Sequence, residues 1–200
     1  MMTLRCTHKL LQRLPLVPEQ EQAIKAAEFS PPGTALGDWY ATLIVARPAH
    51  LVLCLNEKTR FCVLLPAREP KHLVRRFQQS VEAMLHEIGV PQAILELETA
   101  QMQSVIIGST RGAAQARSLL GTLNERSQML KWELQAQEWK ADGSGLRELS
   151  HCLNSILCGP LGLELPSEAV LRLLQQKPPT RDSWPHNFKP FIVRPPSLRQ

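Results

Sequence analysis

The chain has 200 residues, 44% of them hydrophobic and 20% charged, which suits one globular domain with a real core and excludes wholesale disorder. No apolar run approaches the ~20 residues that span a bilayer, so a transmembrane protein is excluded too. The net charge is +5, and the tail from Pro178 onward supplies +3 of it through Arg181, Lys189, Arg194 and Arg199 against Asp182, so the body is near neutral and a dedicated DNA-binding fold is disfavoured.

The opening MMTLRCTHKLLQRL carries Arg5, His8, Lys9 and Arg13 among its leucines and lacks an uninterrupted apolar stretch, so no secretory signal is expected. Within it, TLRC (3–6) is a short strand. Residues 7–14 form a short helix with Thr7 as N-cap. Pro18 opens a helix over 18–27, and SPPGTALGD (30–38) is a loop. WYATLIVA (39–46), HLVLCLN (50–56) and RFCVLLP (60–66) are rich in β-branched and aromatic residues and separated by short turns, which predicts a three-stranded antiparallel meander. Its strands are almost continuously apolar, as in a sheet covered on both faces.

Residues 68–88 repeat apolar side chains at helical spacing up to Gly89. Pro91 opens a second helix to Gln101, and SVIIG (104–108) reads as a further strand. A long helix follows over 115–139, with Leu119, Leu120, Leu123, Leu130 and Leu134 inward, until ADGSG (141–145) breaks it. Two shorter helices, 146–157 and 167–176, complete a helical C-terminal section. Six of the sixteen prolines lie beyond Lys177, where no apolar periodicity remains. The expectation is one α+β domain over 1–177, a small mainly antiparallel sheet flanked by helices, with a Pro-rich basic tail over 178–200.

Leu4 to Leu10, Asp38-Trp39 before a strand, Asn56 to Thr59 before an apolar strand, and Arg117, Ser118, Leu120, Gly121 and Asn124 follow one another in order. These blocks resemble the signature of an uncharacterised, mostly bacterial domain-of-unknown-function family, number 6933, over roughly residues 4–175. The chain departs from that pattern between Thr110 and Arg117. The resemblance implies a compact α/β-type domain and no particular reaction.

Asp38, Asn56, Glu57, Thr59, Arg68, Arg117, Ser118 and Asn124 form the candidate polar surface. Asp38 and the Asn56 turn should share one sheet end, with Arg68 at the other. Such residues can line a polar cleft, or serve as turn and cap groups, Ser118 capping its helix. Lys71, His72, Arg75 and Arg76, with Arg5, His8, Lys9 and Arg13, could contact phosphates or form a solvated face. Met129, Trp132, Ala136 and Trp139 give the long helix a second apolar face, either a partner patch or cover for the later helices.

The odd set Cys6, Cys54, Cys62, Cys152 and Cys158 contains no CxxC pair and reads as reduced thiols; Cys54 and Cys62 are expected opposite one another across their strands. No zinc, other cofactor or structural disulfide is expected. The leading expectation is a cytoplasmic, non-enzymatic interaction or regulatory domain with a protein partner. The alternatives are a nucleic-acid-associated protein of a toxin–antitoxin-like pair, and a hydrolase or nuclease using Asp38 and Glu57.

Overall fold

In the computed structural model, residues 2–15, 33–47, 50–110, 116–136 and 143–174 are described. The expected helix over 18–27 and the tail from 178 lie outside them. The apolar runs form the meander: β2 (Trp39–Ile44), β3 (Leu51–Asn56) and β4 (Cys62–Pro66) pair antiparallel in sequence order. β1 (Met2–Cys6) pairs parallel with β2 on one side and parallel with β5 (Val105–Ser109) on the other. The sheet is therefore mixed, in the order β4-β3-β2-β1-β5. Parallel neighbours need long crossovers, and the stretches between β1 and β2 and between β4 and β5 supply them.

Among the described residues the α-helices are α1 (His8–Leu11), α2 (Leu73–Glu87), α3 (Gln92–Gln101), α4 (Ala116–Ala136), α5 (Gly143–Asn154) and α6 (Pro166–Leu173). Thr7 occupies the N-cap position of α1, but its hydroxyl lies 3.1 Å from that of Thr42 rather than on the helix. Alternation along the strands divides the core in two. Trp39, Ala41, Leu43, Val52, Cys54, Val63 and Leu65 meet Phe77, Val81 and Leu85 of α2, Leu95 of α3 and Val170 of α6. Tyr40, Ile44, Leu53, Leu55, Cys62 and Leu64 meet Leu119, Leu123 and Leu130 of α4 and Leu146, Leu149 and Leu153 of α5. Trp39 and Phe77 meet edge-to-face at 5.2 Å, an arrangement that contributes about 0.5–1.5 kcal/mol beyond burial.

The turn between β3 and β4 corrects one expectation. Asn56 N–H donates to Phe61 O at 2.8 Å and Arg60 N–H to Asn56 O at 3.1 Å, so two residues oppose one and a bulge is inserted. Arg60 takes the left-handed backbone this bulge requires, at φ 57°, where glycine is usual. The extra residue moves Cys62 opposite Leu55, and Cys54 opposite Val63. The two thiols thus face different cores and are not a cross-strand pair. Burial also pushes the Cys62 thiol up to about 12.

The outer edge of β4 is sealed by side chains. Asn154 of α5 accepts from Cys62 N–H at 2.6 Å and donates to Cys62 O at 2.8 Å, and Ser150, one turn earlier, accepts from Leu64 N–H at 3.0 Å. Arg76 of α2 donates to Pro66 O at 3.1 Å. Two helical side chains spaced i, i+4 thus take the place of a neighbouring strand.

Candidate functional site

The candidate polar residues separate to the two ends of the meander, as expected for Asp38 and Arg68. Asp38, at the start of β2, is buried, and both its carboxylate oxygens are engaged. One accepts Thr3 N–H at 2.9 Å; the other accepts the Arg5 fork, Nε at 3.0 Å and Nη2 at 2.9 Å. Arg5 is therefore not part of a basic surface; it is 7% exposed and ties β1 to β2.

Asn56 organises the turn. Its side-chain oxygen accepts Lys58 N–H, Thr59 N–H and the Thr59 hydroxyl at 2.9–3.1 Å, while its amide donates to Leu36 O at 2.9 Å. Glu57 continues the link: Asp38 N–H donates to its Oε1 at 3.1 Å, and Glu57 N–H donates to Asp38 O at 3.0 Å. Gly37 sits at φ 80°, and a Cβ there would lie 2.4 Å from Glu57 Oε1, so this turn accepts glycine alone. Burial pushes the Glu57 carboxyl above its usual range, against the opposing effect of the Asp38 N–H.

Glu98 of α3 was not singled out from sequence. It is buried, and its two oxygens accept Ala35 N–H and Leu36 N–H, each at 3.0 Å, closing the 34–38 loop from the far side. A glutamate on an amphipathic helix gives no sequence signal that its partners lie more than sixty residues away.

Arg60 reaches from this end towards α4, donating to Glu57 O at 2.9 Å and meeting the Ser118 hydroxyl at 3.5 Å. Ser118 lies inside α4, two residues after its first described residue, so it contacts Arg60 instead of capping the helix. Arg117 and Asn124 are exposed elsewhere on α4 and do not join the set. Of the apolar patch, Met129 is half-buried against the α4–α5 core, Trp132 is 57% exposed, and Trp139 lies outside the described residues.

The other end of the meander holds an open cavity of about 390 Å³. Leu10, Leu14, Leu43, Val52, Pro66 and Leu73 give it apolar walls, and Arg13, His50 and Arg68 also line it. Among the described residues, no acidic side chain lines it. Arg13 and Arg68 are exposed, and among the described residues neither guanidinium meets a carboxylate. The bend presenting Arg68 is held by Arg76, which donates to the Arg68 and Glu69 carbonyls and pairs with the Glu69 carboxylate at 3.0 Å. Arg76 is thus committed to structure, whereas Lys71, His72 and Arg75 remain exposed. His50 Nδ1 lies 3.2 Å from Ala46 O, which makes that nitrogen the protonated one and leaves Nε2 for other partners.

Among the described residues, no three His, Cys, Asp or Glu side chains come together as a metal would require, and no helix is long and apolar enough to cross a membrane. Searches of curated proteins and of solved structures find no match to the chain. A family model described as a domain of unknown function (DUF6933) matches residues 3–169, the span that carries both ends of the meander, and the chain belongs to that family.

Proposed function

We propose that this chain is a non-catalytic interaction domain whose partner is a protein, held through an acidic segment that seats an apolar side chain in the Leu10–Leu73 cavity. The observation that carries this reading is the cavity lining: among the described residues, apolar walls with two guanidiniums that meet no carboxylate, and no acidic side chain. An Asp or Glu beside a Leu or Phe would satisfy both chemistries, charge-assisted bonds to Arg13 and Arg68 outside and apolar burial within. The Asp38–Glu57 end supports catalysis less well, because both Asp38 oxygens are occupied by Thr3 and Arg5 and, among the described residues, no histidine hydrogen-bonds to the set. Nucleic acid is supported less well too, since Arg5 and Arg76 are spent on internal partners. The buried thiols of Cys6, Cys54, Cys62 and Cys158 fit work in a reducing compartment such as the cytoplasm.

Selection of random peptides on the immobilised full chain tests the reading. Binders should be enriched in Asp or Glu next to Leu, Ile or Phe. The Arg13→Glu, Arg68→Glu double variant should bind those peptides roughly 10- to 100-fold more weakly, the range expected when charge-assisted bonds are lost. Binders without acidic bias, or unchanged binding by the folded double variant, would contradict it.

A further inference from the structure

Among the described residues the two edges of the sheet are finished differently, and the one left open has its own chemistry. Met2 N–H donates to Ser104 O at 3.0 Å and Thr110 N–H to Cys6 O at 3.2 Å. In a parallel ladder the bonds run through alternate residues. With the register Met2↔Val105 to Cys6↔Ser109, residues 104, 106, 108 and 110 therefore turn their backbone groups to β1. The N–H and C=O groups of Val105 and Ile107 then point away from the sheet, and neither residue has a backbone partner there among the described residues. Both side chains are half-buried, so the strand itself lies at the surface.

Protected edges carry lysine, proline or an inward charge. Nothing of the kind occurs here: from Thr99 to Thr110 the chain reads TAQMQSVIIGST, without a charge or a proline. Gly108 is fixed by its neighbour on β1, since a Cβ there would lie 2.6 Å from the Thr3 methyl.

We infer that β5 pairs antiparallel with β5 of a second copy of this chain, about a two-fold axis at Ile106. That arrangement sets Val105 opposite the second copy's Ile107 and Ile107 opposite its Val105. Each pair exchanges two N–H···O bonds, so the outward donors and acceptors of Val105 and Ile107 in one copy match those of Ile107 and Val105 in the other. Ile106 meets its own copy as the close, non-hydrogen-bonded pair between them. The uncharged strand lets two copies approach without repulsion, whereas a charged edge would select a partner of opposite sign. This inference does not depend on the cavity at the other end of the meander.

Sedimentation of the reduced full chain from low to high micromolar concentration should show a monomer–dimer equilibrium. Ile107→Pro removes one outward donor from each copy while sparing the bonds to β1, since proline is tolerated where an edge N–H faces solvent. It should weaken the dimer roughly 10- to 100-fold. Ile106→Lys sets like charges opposite one another and should give monomers with an unchanged circular dichroism spectrum. On mild oxidation, Ile106→Cys should form a covalent dimer quickly, and a cysteine at the exposed Leu97 should not. A wild-type chain that stays monomeric throughout would overturn the inference. So would a dimer that persists in both folded edge variants, or an Ile106→Cys chain that cross-links no faster than Leu97→Cys.

Discussion

β4 and β5 are both five residues long and both lie at the outside of the sheet, yet their surroundings are opposite. Along β4, Asn154, Ser150 and Arg76 satisfy Cys62, Leu64 and Pro66, and proline itself removes one donor. Along β5 the outward groups of Val105 and Ile107 have no backbone partner among the described residues. Edge exposure in this fold follows from which helices carry hydrogen-bonding side chains at i, i+4, not from strand length or hydrophobicity. The sealed half continues to the Asn56 turn, where buried polar groups close on one another.

Disrupting the joint between the two halves should have the largest effect. Asp38→Ala removes the carboxylate that holds Arg5 and Thr3, leaving a buried guanidinium without its partner; the expected loss is about 3–5 kcal/mol by denaturant unfolding. Next comes the sealed edge itself. Asn154→Leu strands both backbone groups of Cys62 and should cost about 2–4 kcal/mol, whereas Ser150→Ala strands the Leu64 N–H alone and should cost about 1–2 kcal/mol. Equal, negligible effects of both changes would erase the distinction between the edges.

The smallest effect concerns Glu57. Its carboxyl is held above the usual range by burial, so the folded chain keeps its proton to higher pH than the unfolded one. The corresponding stability is fully present below the unfolded value and is lost as pH rises through the folded one. Glu57→Gln removes that dependence and keeps an acceptor for Asp38 N–H. The variant should therefore gain a few tenths of a kcal/mol on the wild type between pH 4 and pH 7, small because half the carboxylate is in water. A melting series across that range checks it, and an advantage that shrinks with rising pH would reverse the assignment.

Much of this architecture was legible from local pattern. Apolar, β-branched runs marked the meander, Pro91 and Gly89 marked helix boundaries, and Asp38 and the Asn56 turn were placed at one end because antiparallel pairing requires it. What escaped had no local cause. The bulge that separates Cys54 from Cys62 depends on Arg60 adopting a backbone that favours glycine. Ser150 and Asn154 look like ordinary surface residues of an amphipathic helix until β4 lies beside them. The cavity was equally hidden, since Arg13, Leu43, His50 and Arg68 come from separate segments and only Arg68 was singled out as part of the polar surface.

Residue-resolved amide hydrogen exchange on the dilute chain tests the contrast between the edges most directly. The Cys62 and Leu64 amides, bonded to Asn154 and Ser150, should exchange only through large-scale opening, as do those of the central strands. Within β5 protection should alternate: Ile106 and Gly108 slow, Val105 and Ile107 fast, the fast pair slowing as concentration rises. Uniform protection along β5 at the lowest concentration, or Cys62 and Leu64 exchanging as fast as Ile107, would contradict the account.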